Sequence, residues 1–246
     1  MTTAKRAVAE LPEDHLRRAM DARSARSRAK YAKLGLSARG PLDRTTQAML
    51  LRQLYLAHFE TRKFDKAHEV ALQALELDVL ADVLHQDAAR AALAIGDLDS
   101  ALIHLRKAAR LSPASRRPFH LWTLGSTLFL TQRYEEAISA LERASRWGTN
   151  DKPLYRAHLA LAKIAAGHVV RDLQETTDML AHAPCGQGYG RFVLGHLAYA
   201  AREWRAARRY LEAFVRRAES SKVAMAIALE PELRMAKATL GKMSEN

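Results

Sequence analysis

The chain is poor in several things, and each lack excludes something. Cys185 is its only cysteine, so no disulfide framework can form and a reducing compartment fits. No apolar run approaches the roughly 18 residues of a membrane-spanning helix. The start, Met1-Thr2-Thr3-Ala4-Lys5-Arg6, leads into no apolar stretch of a signal peptide. These absences predict a soluble, cytoplasmic protein with no transmembrane segment. Runs alternating apolar and polar residues are scarce, which argues against strands. Acidic residues are also short: 27 Asp and Glu face 39 Lys and Arg, a formal net charge of +12. A balance of that sign predicts an anionic partner: an acidic protein, nucleic acid or a membrane surface. Arginine outnumbers lysine 28 to 11, which favours bidentate carboxylate or phosphate contacts. A GC-rich genome produces the same bias.

Chemistry-bearing constellations are missing as well. The ten histidines are scattered, with no His-Glu-x-x-His spacing and no second cysteine to complete a metal site. The one glycine-rich stretch, Gly186-Gln187-Gly188-Tyr189-Gly190, has no preceding strand and no Lys-Ser or Lys-Thr pair. It reads as a tight turn rather than a phosphate loop. Cys185 beside it has no His-Asp or His-Asn partners in sight, so it reads as structural or incidental. The expectation is a protein that is no enzyme and needs no metal or cofactor.

What is present is a ladder. Ala67, Ala101, Ala137 and Ala207 each follow an aromatic residue or Leu by three positions, in Phe64-Asp65-Lys66-Ala67, Leu98-Asp99-Ser100-Ala101, Tyr134-Glu135-Glu136-Ala137 and Trp204-Arg205-Ala206-Ala207. The separations are 34, 36 and 70 residues, the last being two repeats of about 35. A fixed period of this size predicts stacked helix-turn-helix units. Residues 1–44 differ: between Arg17 and Arg44 stand nine basic residues against Asp21 and Asp43. Pro12, Glu13 and Asp14 suit the start of a helix, predicted from about Glu13 to Leu34 with Gly35 as its C-cap. Its small-residue stripe of Ala22, Ala25, Ala29, Ala32 and Leu36 predicts docking, on the first repeat or on a second chain. Docking on a second chain makes a homo-oligomer. The opposite row of Arg26, Lys30 and Lys33 then faces outward. Ser220-Ser221 is read as the cap of a last helix, which Pro231 should kink or split.

With Ala67 at position 20 of a 34-residue unit, and each later ladder alanine at position 20 of its own, Leu54, Ala88, Leu124 and Leu194 fall at position 7. Leu124-Gly125 with Tyr134 and Ala137, and Leu194-Gly195 with Trp204 and Ala207, resemble the tetratricopeptide repeat, in the style of bacterial helical-repeat adaptors. The resemblance covers about residues 48–217, with a degenerate fourth repeat near 152–187. It implies an all-α, right-handed solenoid of about five repeats. Residues 1–44 form a basic helical arm, residues 45–246 the array, and residues 218–246 or so a capping helix. It also implies a protein or peptide partner held in a concave groove. Arg52, Phe59, Arg90, Phe119, Trp122, Phe129, Tyr189, Phe192, His196 and Tyr199 fall at the groove positions of the family. That aromatic, arginine-rimmed set has the composition of binding hot spots. The family's carboxylate clamp does not carry over, because Leu56, Asp87, Phe119 and Thr123 stand where it needs Asn, Asn, Lys and Arg. The alternative reading is nucleic-acid or other polyanion binding through Arg26, Lys30 and Lys33 of the arm and Arg208 and Arg209 of a basic helix.

Overall fold

Local signals in the sequence set where each helix starts. Pro12 opens α1 (Pro12–Asp21), with Glu13 and Asp14 in its positive first turn. Asp43 accepts hydrogen bonds from the backbone N–H groups of Thr45 (2.8 Å) and Thr46 (3.0 Å) and so starts α3 (Arg44–Glu60). These cap bonds hold the Asp43 carboxyl below the usual range. The computed structural model describes residues 10–244. Among them lie fourteen α-helices and one 3-10 turn, and no strand. The chain divides into two compact units, residues 1–108 and 109–246.

The first unit contains α1, α2 (Ala25–Leu36), α3, α4 (Phe64–Leu75), α5 (Ala81–Ile95) and most of α6 (Leu98–Leu111). The arm is two helices, not the single helix expected from Glu13 to Leu34. Ser24 breaks it: its hydroxyl accepts from the Ser27 N–H at 3.1 Å and caps a new helix. The break folds α1 back so that Ala19 and Ala32 bury together against Leu54 of α3. Arg28 of α2 ion-pairs with Glu60 of α3. The arm thus docks on its own first repeat. Gly35 is not a C-cap but lies inside α2, where a Cβ would come within 2.6 Å of Leu50.

The second unit contains α7 (Arg117–Leu130), α8 (Tyr134–Trp147), α9 (Lys152–Ala165), α10 (Leu173–His182), α11 (Gly190–Ala200), α12 (Trp204–Glu219), α13 (Val223–Ala228) and α14 (Glu230–Lys242). Helices pack in consecutive pairs in both units, as a helical solenoid requires. Gly186 does sit in a tight turn, the 3-10 segment Pro184–Gln187, where any side chain would strike the Leu180 carbonyl. Pro231 splits the last helix as expected, leaving α13 and α14.

The repeat is written in the packing and in the turns. Ala67, Ala101, Ala137 and Ala207 are all 0 % exposed. A Cβ on Gly125 would meet Leu141 at 2.6 Å, and one on Gly195 would meet Leu211 at 2.5 Å. Small residues on the first helix of a pair thus admit Leu from the second. Five turns share one hydrogen bond, from an N–H back to the carbonyl five residues earlier: Lys63 to His58, Asp97 to Ala92, Arg133 to Leu128, His168 to Lys163 and Glu203 to Ala198, each 2.9 Å. The residue before each donor is left-handed: Arg62, Gly96, Gln132, Gly167 and Arg202. This is the Schellman closure of a helix, repeated five times. It places a fourth repeat over α9 and α10, where the alanine pattern fails.

Candidate binding cleft

The residues expected to line one groove divide between depth and surface. Phe59, Phe129, Phe192 and His196 are buried, which corrects their assignment to an open groove. An aromatic residue from across the turn covers the first two: Phe59 lies 5.5 Å from Phe64, and Phe129 lies 5.8 Å from Tyr134. Phe192 packs between His196 (4.6 Å) and Phe214 (5.4 Å). Tyr199 repeats the turn contact with Trp204 at 5.4 Å but stays half-buried. In the first unit, Arg52 and Arg90 are engaged with a buried carboxylate. Arg52 Nε lies 2.6 Å and Arg90 Nη1 3.8 Å from Asp87. Burial pushes the Asp87 carboxyl up, and Arg52 pulls it back.

Phe119, Trp122 and Tyr189 do come together. With Leu154, Tyr155, Pro184, Cys185 and Arg217 they line a cleft of about 330 Å³ in the second unit. Phe119 stands in the first turn of α7 and is 41 % exposed. Its ring lies 5.9 Å from Trp122, which packs 6.0 Å from Tyr155 and edge-on to Tyr189 at 4.9 Å. Two of these rings have their polar atoms hydrogen-bonded, Trp122 and Tyr189. Trp122 Nε1 donates to His158 Nδ1 at 3.2 Å. The Tyr189 hydroxyl pairs with Ser126 Oγ at 2.6 Å and donates to Glu232 Oε1 at 3.1 Å. The lining they offer is therefore largely hydrocarbon. Two charges stand at its edge, Asp151 before α9 and Arg217 in the last turn of α12.

Below this lining sits an unusually polar interior. His158 Nε2, His196 Nε2 and Glu232 Oε2 are buried with no hydrogen-bond partner. Burial pushes His158 down to about 3 and His196 to about 4, so both rings are neutral near pH 7. Burial pushes Glu232 up to about 7. Because His158 Nδ1 accepts from Trp122, its proton lies on Nε2. Ser126 Oγ is engaged by the Tyr189 hydroxyl. Burial raises the Cys185 thiol, which favours the unreactive form. Among the described residues, no three His, Cys, Asp or Glu side chains are grouped to hold a metal ion.

The basic candidates lie elsewhere. Arg26, Lys30 and Lys33 are exposed on α2. Arg208 and Arg209 are exposed on α12, where Arg208 reaches the Met243 carbonyl at 3.3 Å and Arg209 lies 5.0 Å from the Tyr210 ring. Sequence reasoning missed Tyr155 and Glu232. The fourth repeat lacks the alanine pattern, and the last helix carries only the signals of a cap.

Residues 121–147, within α7 and α8, match the family model of the tetratricopeptide repeat. With the paired helices on either side, this match supports a helical repeat protein of the tetratricopeptide type. The matched repeat supplies Trp122 to the cleft, and Phe119 lies two residues before it. No curated protein sequence matches the chain. Among the described residues no helix is long and apolar enough to cross a membrane.

Proposed function

We propose that this chain is a cytoplasmic, non-catalytic adaptor that holds a segment of a partner protein in the cleft of its second unit. Tetratricopeptide repeats generally mediate protein–protein interaction. The observation that carries the reading to this site is the exposed Phe119 ring on Trp122, beside Tyr189, with the indole N–H and the Tyr189 hydroxyl already hydrogen-bonded within the protein. An apolar side chain laid on those rings loses water without stranding either of these groups. The basic arm, residues 1–44, supplies a charged surface of the first unit through Arg26, Lys30 and Lys33. Selection from a displayed random-peptide library tests the reading. Enriched peptides should lose affinity for Phe119→Ala while circular dichroism stays unchanged. Peptides that bind both proteins equally, or binding only of oligonucleotides that collapses at about 0.5 M salt, would favour polyanion binding instead.

A further inference from the structure

The cleft carries charged side chains as well as an apolar lining. Arg217 projects from the last turn of α12, is exposed, and makes no ion pair or hydrogen bond through its guanidinium among the described residues. Three other arginines of the unit are engaged: Arg133 pairs with Glu136 (2.5 Å), Arg156 with Asp172 (3.8 Å) and Arg216 with Glu212 (3.8 Å). Arg191, by the cleft, donates to the lining residue Gln187 at 2.9 Å. The first turns of α7 and α9 also open on the cleft, through Phe119 and Leu154, and the helix dipole makes those ends positive. Asp151 is the one acid among the lining residues.

We propose, resting on the reading of the cleft as a peptide site, that its occupant is an acidic segment of a partner protein. An aromatic or Leu side chain of that segment lies on Phe119 and Trp122, and a neighbouring Glu or Asp side chain pairs with Arg217. Charge complementarity selects this occupant. A chain of net charge +12 attracts acidic surfaces at long range. A planar guanidinium without an internal partner is suited to a bidentate carboxylate. Asp151 disfavours a second carboxylate at its own edge, so it fixes which way the segment lies.

The test uses the full chain and capped, fluorescein-labelled peptides in which a Leu or Phe is flanked either by Glu or by Lys, read by anisotropy. Capping removes the terminal carboxylate, so only side-chain acids are scored. The Glu peptide should bind at least about tenfold tighter than the Lys peptide. Arg217→Glu should weaken the Glu peptide about tenfold and strengthen the Lys peptide. Asp151→Asn should tighten the Glu peptide. Both positions are exposed, so circular dichroism should not change. Equal binding of the two peptides, or no response to Arg217→Glu, overturns the acidic occupant. If Phe119→Ala still weakens both peptides in that case, the apolar cleft stands and only its charge preference fails. If neither peptide binds, the peptide-site reading fails with it. A labelled single-stranded oligonucleotide that depends on Arg217 but ignores Phe119→Ala would make the site a phosphate surface and also overturn the proposal.

Discussion

The residues that carry most information are polar ones the fold has buried. Glu232 reaches from α14 to the Tyr189 hydroxyl, and its other oxygen has no partner. Its carboxyl titrates at about 7 instead of 4.5. A raised carboxyl adds stability that is fully present below the unfolded value and is lost as pH rises through the folded one. The span of about 2.5 units at about 1.36 kcal/mol each amounts to roughly 3 kcal/mol. Glu232→Gln should therefore gain on the parent between pH 5 and pH 8, by up to that amount. Urea midpoints at the two pH values measure it, and parallel pH slopes for both proteins would refute it. His158 and His196 act in the opposite sense. Their depressed values mean that stability present above about 6.5 is lost as pH falls toward 4 and 3. Because both proteins share that acid loss, the difference between them isolates Glu232. Gly125 makes a steric case. A methyl group there would press on Leu141, so Gly125→Ala should cost about 1–3 kcal/mol. An unchanged midpoint would mean that α7 and α8 can part without loss.

At the scale of elements, the closure of each helix pair is the most regular feature and the least legible beforehand. The alanine ladder is visible in the sequence because each repeat needs a small residue where two helices cross. The left-handed turn residue is visible only where it is glycine, at Gly96 and Gly167. At Arg62, Gln132 and Arg202 the same backbone is held by ordinary residues. There an aromatic pair spans the turn: Phe59 with Phe64, Phe129 with Tyr134 and Tyr199 with Trp204. Those pairs also explain why the groove assignment failed at Phe59 and Phe129. Their positions suited a groove, but the partner five residues on covers them. The arm failed differently, because its helical composition gave no weight to one serine that caps better than it propagates. Left-handed backbone costs a residue with a Cβ about 1–2 kcal/mol, and glycine's extra chain entropy returns part of that. Gln132→Gly should thus stabilise by up to about 1 kcal/mol, and Gly96→Ala should destabilise by a similar amount. Thermal melts of both variants decide it. A Gln132→Gly protein less stable than its parent would show that the side chain contributes more than the strain it carries.

At the scale of the molecule, the two compact units carry different reporters. Trp122, Trp147 and Trp204 all lie in the second unit, and the first has no tryptophan. Tryptophan fluorescence therefore follows one unit, while far-ultraviolet circular dichroism follows both. The arm belongs to the first. Removing residues 1–40 would strip Ala19 and Ala32 from Leu54, uncover Leu50 where Gly35 now presses on it, and leave Glu60 without Arg28. Leu50 is fully buried in the intact chain, and exposing one such side chain costs about 1.5–3 kcal/mol. The deletion should lower the denaturant midpoint seen by circular dichroism and split it from the fluorescence midpoint, which should hold. A basic tail with no packing role predicts no shift in either signal. If both midpoints fall together, the two units unfold as one cooperative body.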